Sequence, residues 1–375
     1  MKNNMMLNKH LGCLLGGAAG DALGYAVEFK SYSTILKEYG QKGIREYQLT
    51  NDVALISDDT QMTLFTADAL LQAEAKGIHS KNDYIEAMII GYSNWYRTQF
   101  ESYDNALRSN SGSYKAKESW LLGIKELYNQ RAPGVTCMQE IENGCRGNME
   151  NPINESKGCG GLIRIAPIGL YFCSPVYAAK IASENAALTH GHPLGYIPAA
   201  ALAYLISLLC SKPELCLKEA VRETLREIDS LFKNNRYLDS FLEIVVKAVY
   251  LSKEDRPDEE CIREIGEGWT AEETLAIAIY CALKYEKDFD AAIIAAVNHD
   301  GDSDSTGTVV GNILGVYLGY EAIPKRFLQK LELKKTIWLL AEDLLNSEPY
   351  PKDEEKMAVW KAKYIEHCYR VQFAL

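Results

Sequence analysis

The sequence predicts an all-α protein, on three observations. Apolar residues recur at i, i+3, i+4 and i+7 along most of the chain. No convincing set of alternating strands interrupts them. The conspicuous acidic turns, at 57–60 and 300–305, each stand directly before an amphipathic stretch, where a helix would begin.

The first helix carries Leu11, Leu14, Leu15, Ala18, Ala19, Ala22, Leu23 and Ala26 on one stripe. Met62, Phe65, Ala69 and Leu70 repeat it after Asp59, and Val309, Val310, Ile313, Leu314 and Tyr317 after Ser305. Further helices are expected over 81–97, 115–129, 174–188, 194–211, 214–233, 238–251, 270–284, 332–346 and 353–371. Breaks fall at Gly77, Gly134, Pro152, Gly191 and Pro257, and none is a long linker. The turn-rich stretch 131–161 reads as a functional loop inside one domain spanning 1–375.

Gly12, Gly16, Gly20 and Gly24 recur every four residues, as do Gly307, Gly311, Gly315 and Gly319. Each glycine inside a helix costs about 0.5–1 kcal/mol relative to alanine, so eight of them need a compensating gain. Close approach of two helix backbones supplies it, and the two striped helices are expected to pack together. Two separate close contacts with other helices would also account for the stripes.

A formal net charge of −11 argues against bulk electrostatic binding of nucleic acid, except as a modified substrate, or of an anionic membrane. Ten scattered cysteines, none in a C-x-x-C pair, read as reduced thiols of a cytoplasmic protein. The N-terminus has no signal-peptide pattern. The uncharged run Asn185–Ser211 contains two prolines and reads as a buried core helix rather than a membrane span.

Ser57-Asp58-Asp59-Thr60 alone reads as a helix cap. Asp300-Gly301-Asp302-Ser303-Asp304-Ser305 resembles the start of an EF-hand loop, but Ser305 and Gly311 stand where glycine and glutamate are needed, so that reading fails. If the striped helices pack, the two turns converge and four carboxylates face one another. A hard divalent cation, or a pair of them, relieves that repulsion, and all-oxygen ligands favour Mg²⁺ or Mn²⁺. Asp21 and Glu28 share a face of the first helix and are expected to wall a cleft, with Glu28 near the metal. Gly158-Cys159-Gly160-Gly161 followed by Arg164 offers backbone N–H groups to an anion such as a diphosphate, or is a plain tight turn. His190 and His192 lack a third nitrogen or sulfur ligand nearby, so His190 is expected to contact ligand or to be structural.

These motifs resemble the ADP-ribosylglycohydrolase family. The matching stretches are Gly12 through Gly24, Ser57-Asp58-Asp59-Thr60-Gln61, Arg131-Ala132-Pro133-Gly134, Gly158 through Pro167, Thr189-His190-Gly191 and Gly301 through Ser305. The resemblance implies an orthogonal helical domain with a central site for two divalent cations, Mg²⁺ or Mn²⁺. It implies Ser57, Asp58, Asp59, Asp302, Asp304 and Ser305 as ligands, and Glu28 on a flap beside them. Gly158, Cys159, Gly160, Gly161, Arg164, His190 and Gly301 are assigned to the ADP-ribose pocket. The implied reaction is hydrolysis of the N- or O-glycosidic bond at the distal ribose of an ADP-ribosylated protein or small molecule, with Asp59 or Glu28 moving the proton. Serine replaces the family's usual threonine at 57, 303 and 305 and keeps the hydroxyl. The segment 100–114 departs from the family pattern, with Asp104 as its candidate acid. Two other readings are a phosphohydrolase using His299-Asp300 and a silent ADP-ribose reader.

Overall fold

The computed structural model describes residues 2–109, 119–347 and 354–367. Its helices, in chain order, are α1 (Lys2–Gly24), α2 (Tyr32–Tyr39), α3 (Asp58–Ala75), α4 (Lys81–Phe100), α5 (Tyr103–Ser109), α6 (Val135–Glu142), α7 (Ala166–Tyr171), α8 (Pro175–Ala187) and α9 (Pro193–Ser211). They continue as α10 (Leu217–Phe232), α11 (Leu238–Leu251), α12 (Asp258–Ile265), α13 (Ala271–Lys284), α14 (Phe289–Val297), α15 (Ser303–Leu318), α16 (Lys325–Gln329), α17 (Lys334–Leu345) and α18 (Glu354–Tyr364). Among the described residues there is no strand, only three isolated β-bridges. The class is all-α, as the periodicity predicted.

The glycine stripes bring α1 and α15 together, antiparallel and in step. An added Cβ at Gly12 would lie 2.1 Å from the Gly315 carbonyl oxygen. At Gly16 it would lie 2.5 Å from that of Gly311, and at Gly20 2.0 Å from that of Gly307. At Gly24 the clash moves to Ser303, 2.3 Å away, at the start of α15. No side chain fits between these backbones, which is why glycine's helix penalty is tolerated here. Gly319 lies just beyond the end of α15, where its Cβ would meet Asn8.

Around this pair, α8 packs on α9 and α3 on α4. One apolar cluster runs through the described elements. α9 is long and apolar enough to cross a membrane, but 94% of its most apolar window is buried inside the protein. It is a core helix, opened by Pro193 and capped by the His192 ring, which accepts from the Leu194 amide at 3.1 Å.

Several boundaries differ from the periodic reading. α1 stops at Gly24, because the chain turns sharply there: Tyr25 donates to the Asp21 carbonyl and Val27 to that of Gly24, both at 2.8 Å. Within 119–129 there is no α-helix but two 3₁₀ turns, Trp120–Gly123 and Lys125–Leu127, whose Trp120, Leu121 and Leu127 plug the core; 115–118 lie outside the described residues. Residues 353 and 368–371 of the last expected helix also lie outside them. The short helices α2, α5, α6, α7, α12, α14 and α16, of 5 to 9 residues, lie outside the expected ranges because two turns hold too few repeats to show a period.

Candidate active site

Three helix ends converge on one carboxylate. Asp21, fully buried in α1, accepts from the Ser57 amide at 2.9 Å and from the Thr60 amide at 3.2 Å, and also bonds the Thr60 hydroxyl. It thus anchors the N-terminus of α3 to α1, while the glycine contact fixes the N-terminus of α15 to the same end of α1. The Ser57 hydroxyl caps α3 by accepting from Asp59 N at 3.2 Å and also hydrogen-bonds the Asp304 carboxylate. Asp302 caps α15, accepting from Ser305 N at 3.3 Å. Capping and convergence therefore coexist: Ser57 and Asp302 are caps, which leaves Asp58, Asp59 and Asp304 to form the acidic wall.

That wall faces a cleft of about 340 Å³. Glu28, Asp58, Asp59, Asp302, Asp304 and Ser305 line it together with Gly158, Cys159, Gly160 and His190. Glu28 is not on α1, as its spacing suggested, but on the turn after it. Carboxylate oxygens of Glu28, Asp302 and Asp304 all lie within 4.8 Å of one another. Burial, then the charges of Asp304, Asp302, Asp58 and Asp21, push the Glu28 carboxyl up to about 10. Burial followed by the Asp304 charge drives Asp58 and Asp59 well above the usual carboxylate range. Burial and Asp302 do the same to Asp304. Asp21 rises to about 7, from burial and Asp304, with its Thr60 and Ser57 hydrogen bonds opposing. Burial and the neighbouring Asp302 and Asp59 push the Cys159 thiol up as well, so it stays protonated and donates to Asp302 Oδ2 at 2.9 Å.

The donor set fits a hard cation. Glu28 Oε2 and Asp59 Oδ2 are buried with no hydrogen-bond partner. Orphaned, clustered carboxylate oxygens are costly unless a proton or a cation joins them.

The remaining expected site residues sit elsewhere. Arg164 does not reach the cleft. It is fully buried, donating to Asn185 Oδ1 at 3.1 Å and Thr189 Oγ1 at 2.9 Å, with its guanidinium 4.3 Å from the Tyr92 ring centroid. A guanidinium so engaged is unavailable to a diphosphate, which corrects the direct contact expected for it. Its link to the cleft is indirect, since Thr189 Oγ1 lies 2.8 Å from His190 Nδ1. Gly161 lies beneath the turn against Ala186 and His190, and the Cys159 amide is occupied by the Trp269 carbonyl at 3.3 Å. Gly301 (φ 114°) makes the tight turn into α15, where a Cβ would strike the Glu267 carbonyl. Ser57 is fully buried behind the lining of the cleft, where its hydroxyl touches the Asp304 carboxylate.

His192 diverges from His190 to cap α9, so the two make no metal pair. His190, fully enclosed, is held neutral, its value lowered to about 3 by burial and then by Arg164. His299 is occupied by Thr306 and the Asp300 carbonyl, while Asp300 accepts from the Tyr32 amide at 2.7 Å, so the His299-Asp300 phosphohydrolase pair does not form. Asp104 is exposed on α5, away from the cleft, and 110–114 lie outside the described residues.

Sequence reasoning missed the anchoring role of Asp21 and the aromatic rim. Phe29 and Trp269 stack at 5.9 Å across the cleft mouth. A signal existed for Trp269: it follows Gly266 and Gly268 and stands just before Thr270, the N-cap of the helix that starts at Ala271.

The chain is 27% identical to ADP-ribosylhydrolase ARH3 of Mus musculus, covering 90% of this chain and 91% of that protein. It is 24% identical to the ADP-ribosyl-[dinitrogen reductase] glycohydrolase of Rhodospirillum rubrum, covering 87% and 91%. The ADP-ribosylarginine hydrolase Tri1 of Pseudomonas putida is 24% identical over 92% of this chain and 79% of its own length. A solved structure described as an ADP-ribosylglycohydrolase-related protein complex shares the fold, with a TM-score of 0.60 at 23% identity, covering 92% of this chain and 99% of that one. Residues 2–354 match the family model described as ADP-ribosylglycohydrolase, and the chain belongs to that family of enzymes.

Proposed function

We propose that the acidic cleft hydrolyses the N- or O-glycosidic bond at the distal ribose of an ADP-ribosyl group, reversing ADP-ribosylation of a protein or small molecule. Two divalent cations, Mg²⁺ or Mn²⁺, would be held by Ser57, Asp58, Asp59, Asp302, Asp304 and Ser305. The observation that carries this reading is the buried cluster of Glu28, Asp302 and Asp304 carboxylates, to which Ser57 is hydrogen-bonded through Asp304, with oxygens of Glu28 and Asp59 left without partners. When bound, the cations supply charge neutralisation and a Lewis acid for activating water.

The chain's own groups do the rest. Glu28 and Asp59, whose unpartnered oxygens are buried at the cleft, are assigned the proton transfers at the attacking water and the leaving group. The carboxylate wall favours the positive charge that develops on the ribose in an oxocarbenium-like transition state. Gly158, Cys159 and Gly160 line the cleft and offer their backbone to the ADP-ribose. Neutral His190 contacts the ligand without adding charge, and Arg164 is a positioning residue acting through Thr189. The free thiols among the described residues support a reducing, cytoplasmic setting.

The test is release of ADP-ribose from substrates linked through arginine, serine, a nucleobase or a small metabolite, with Mn²⁺ or with chelator. At least one linkage should be cut with metal and none with chelator. ADP-ribose binding without cleavage of any linkage would identify a silent reader instead.

A further inference from the structure

Beside the acidic cleft lies a larger open groove of about 1020 Å³. The turn at Thr50–Val53 and the segment 330–336 form its walls. Hydrogen bonds from Ala54 N to Lys330 O at 2.9 Å and from Glu332 N to Ala54 O at 3.0 Å stitch them together. Arg131 lines the groove and belongs to both regions. Its guanidinium meets Glu332 Oε1 at 3.2 Å in the groove, and its carbonyl accepts from the Asp58 amide at 3.0 Å under the acidic wall. The next three residues, Ala132 to Gly134, line the cleft. An occupant of the groove therefore arrives at the reacting centre across a single turn.

The groove reverses the sign of the molecule. In a chain of net charge −11, Lys125, Arg131, Lys330, Lys334 and Lys335 line it against Asp52, Glu126 and Glu332. Two of those acids are already matched, Asp52 by Lys330 and Glu332 by Arg131. Lys125 and Lys334 make no ion pair among the described residues, and Arg131 Nε is buried without a hydrogen-bond partner. Backbone strain gathers here too. Asn51, Asp52 and Leu333 in the groove, and Ala132 on the dividing turn, have φ of 51°, 67°, 54° and 56°. Non-glycine residues held in the left-handed region cost free energy and cluster at functional surfaces.

We propose that this groove holds an extended acidic segment of the ADP-ribosylated protein, next to the modified residue, while the ADP-ribose occupies the cleft. The inference rests on the hydrolase reading above and adds the chemistry of the target. The amide side chains of Asn51, Asn129 and Gln329 suit a peptide backbone, and Val53 and Leu331 its side chains. A nucleic acid is disfavoured: Tyr103 is the groove's one aromatic residue, so no stacking platform exists, and the net charge of the chain repels a long polyanion.

The experiment uses the full chain with Mn²⁺ and fluorescence anisotropy of labelled peptides. The probes are an unmodified Asp/Glu-rich peptide, a neutral peptide of equal length and a single-stranded oligonucleotide of equal charge. ADP-ribose binding is measured separately by calorimetry. The acidic peptide should bind in a salt-dependent way, and Lys125→Glu with Lys334→Glu should weaken it about tenfold while leaving ADP-ribose affinity unchanged. If the charge reversal lowers thermal stability, Lys125→Gln with Lys334→Gln should show a smaller loss in the same direction. Absent binding, equal binding of the neutral peptide, tighter binding of the oligonucleotide, or an unchanged affinity in both variants would overturn the groove assignment. Failure of wild-type protein to bind ADP-ribose would overturn the hydrolase reading instead, and with it the identity given to the peptide, whatever the anisotropy shows.

Discussion

Gly20 and Gly307 touch backbone to backbone, so that a Cβ on Gly20 would lie 2.0 Å from the Gly307 carbonyl oxygen. No rotamer change relieves such a clash. Gly20→Ala is expected to lose about 3 kcal/mol or more, read as a lower melting temperature or insoluble expression. Gly134→Ala is the control: its surroundings are open and its φ of −59° suits alanine, so stability should hold or rise by about 0.5 kcal/mol. Equal effects from the two changes would mean that α1 and α15 are not in this contact.

Asp304→Ala removes the carboxylate to which Ser57 is bonded and on which the like charges converge. Helical content by circular dichroism should be unchanged, because the cap of α15 is Asp302 and the cap of α3 is Ser57. Wild type is expected to gain about 2.7 kcal/mol from Mn²⁺ at a hundredfold excess over Kd, read as a higher melting temperature, and in the variant that gain should vanish. Global unfolding of the variant would instead give Asp304 a structural role.

Arg164→Lys separates support from direct contact. A lysine cannot reproduce the fork that reaches Asn185 and Thr189 together, and it leaves a charge poorly paired in the core. A loss of about 3 kcal/mol is expected, with weaker ADP-ribose binding following from a loosened His190. Intact stability with abolished ADP-ribose binding would place Arg164 on the ligand.

Much of this was legible in the sequence. The glycine stripes could be read because glycine in a helix is costly and its period of four survives any context. The acidic turns could be read because one cap needs one carboxylate, and the second turn carries three. Arg164 was misread because sequence supplies a charge beside a glycine-rich turn but not its direction, and Asn185 lies 21 positions away. Phe29 and Trp269 come from distant loops whose meeting has no local pattern. The 119–129 segment has helical apolar spacing, yet Trp120 and Leu121 are drawn into the core and override it.

Asp68, buried away from the cleft, gives a pH test. Burial lifts its carboxyl from 3.8 to about 6, against hydrogen bonds from Ser119 and Gln72 and the charge of Lys363. The folded state therefore holds this proton more tightly than the unfolded chain. Its contribution is fully favourable below about pH 4 and is lost as the pH rises through about 6, amounting to about 3 kcal/mol. The stability of Asp68→Asn relative to wild type should climb across that window and level off above it. A difference independent of pH between 4 and 7 would contradict the assignment.

The central claim is that the 57–59 and 302–305 turns together hold divalent cations, and counting Mn²⁺ bound per chain by electron paramagnetic resonance tests it most directly. Wild type should bind two ions, and Asp304→Ala, folded to the same helical content, should lose them. A wild-type chain that binds no Mn²⁺, or a variant that binds as many ions as wild type, would contradict it.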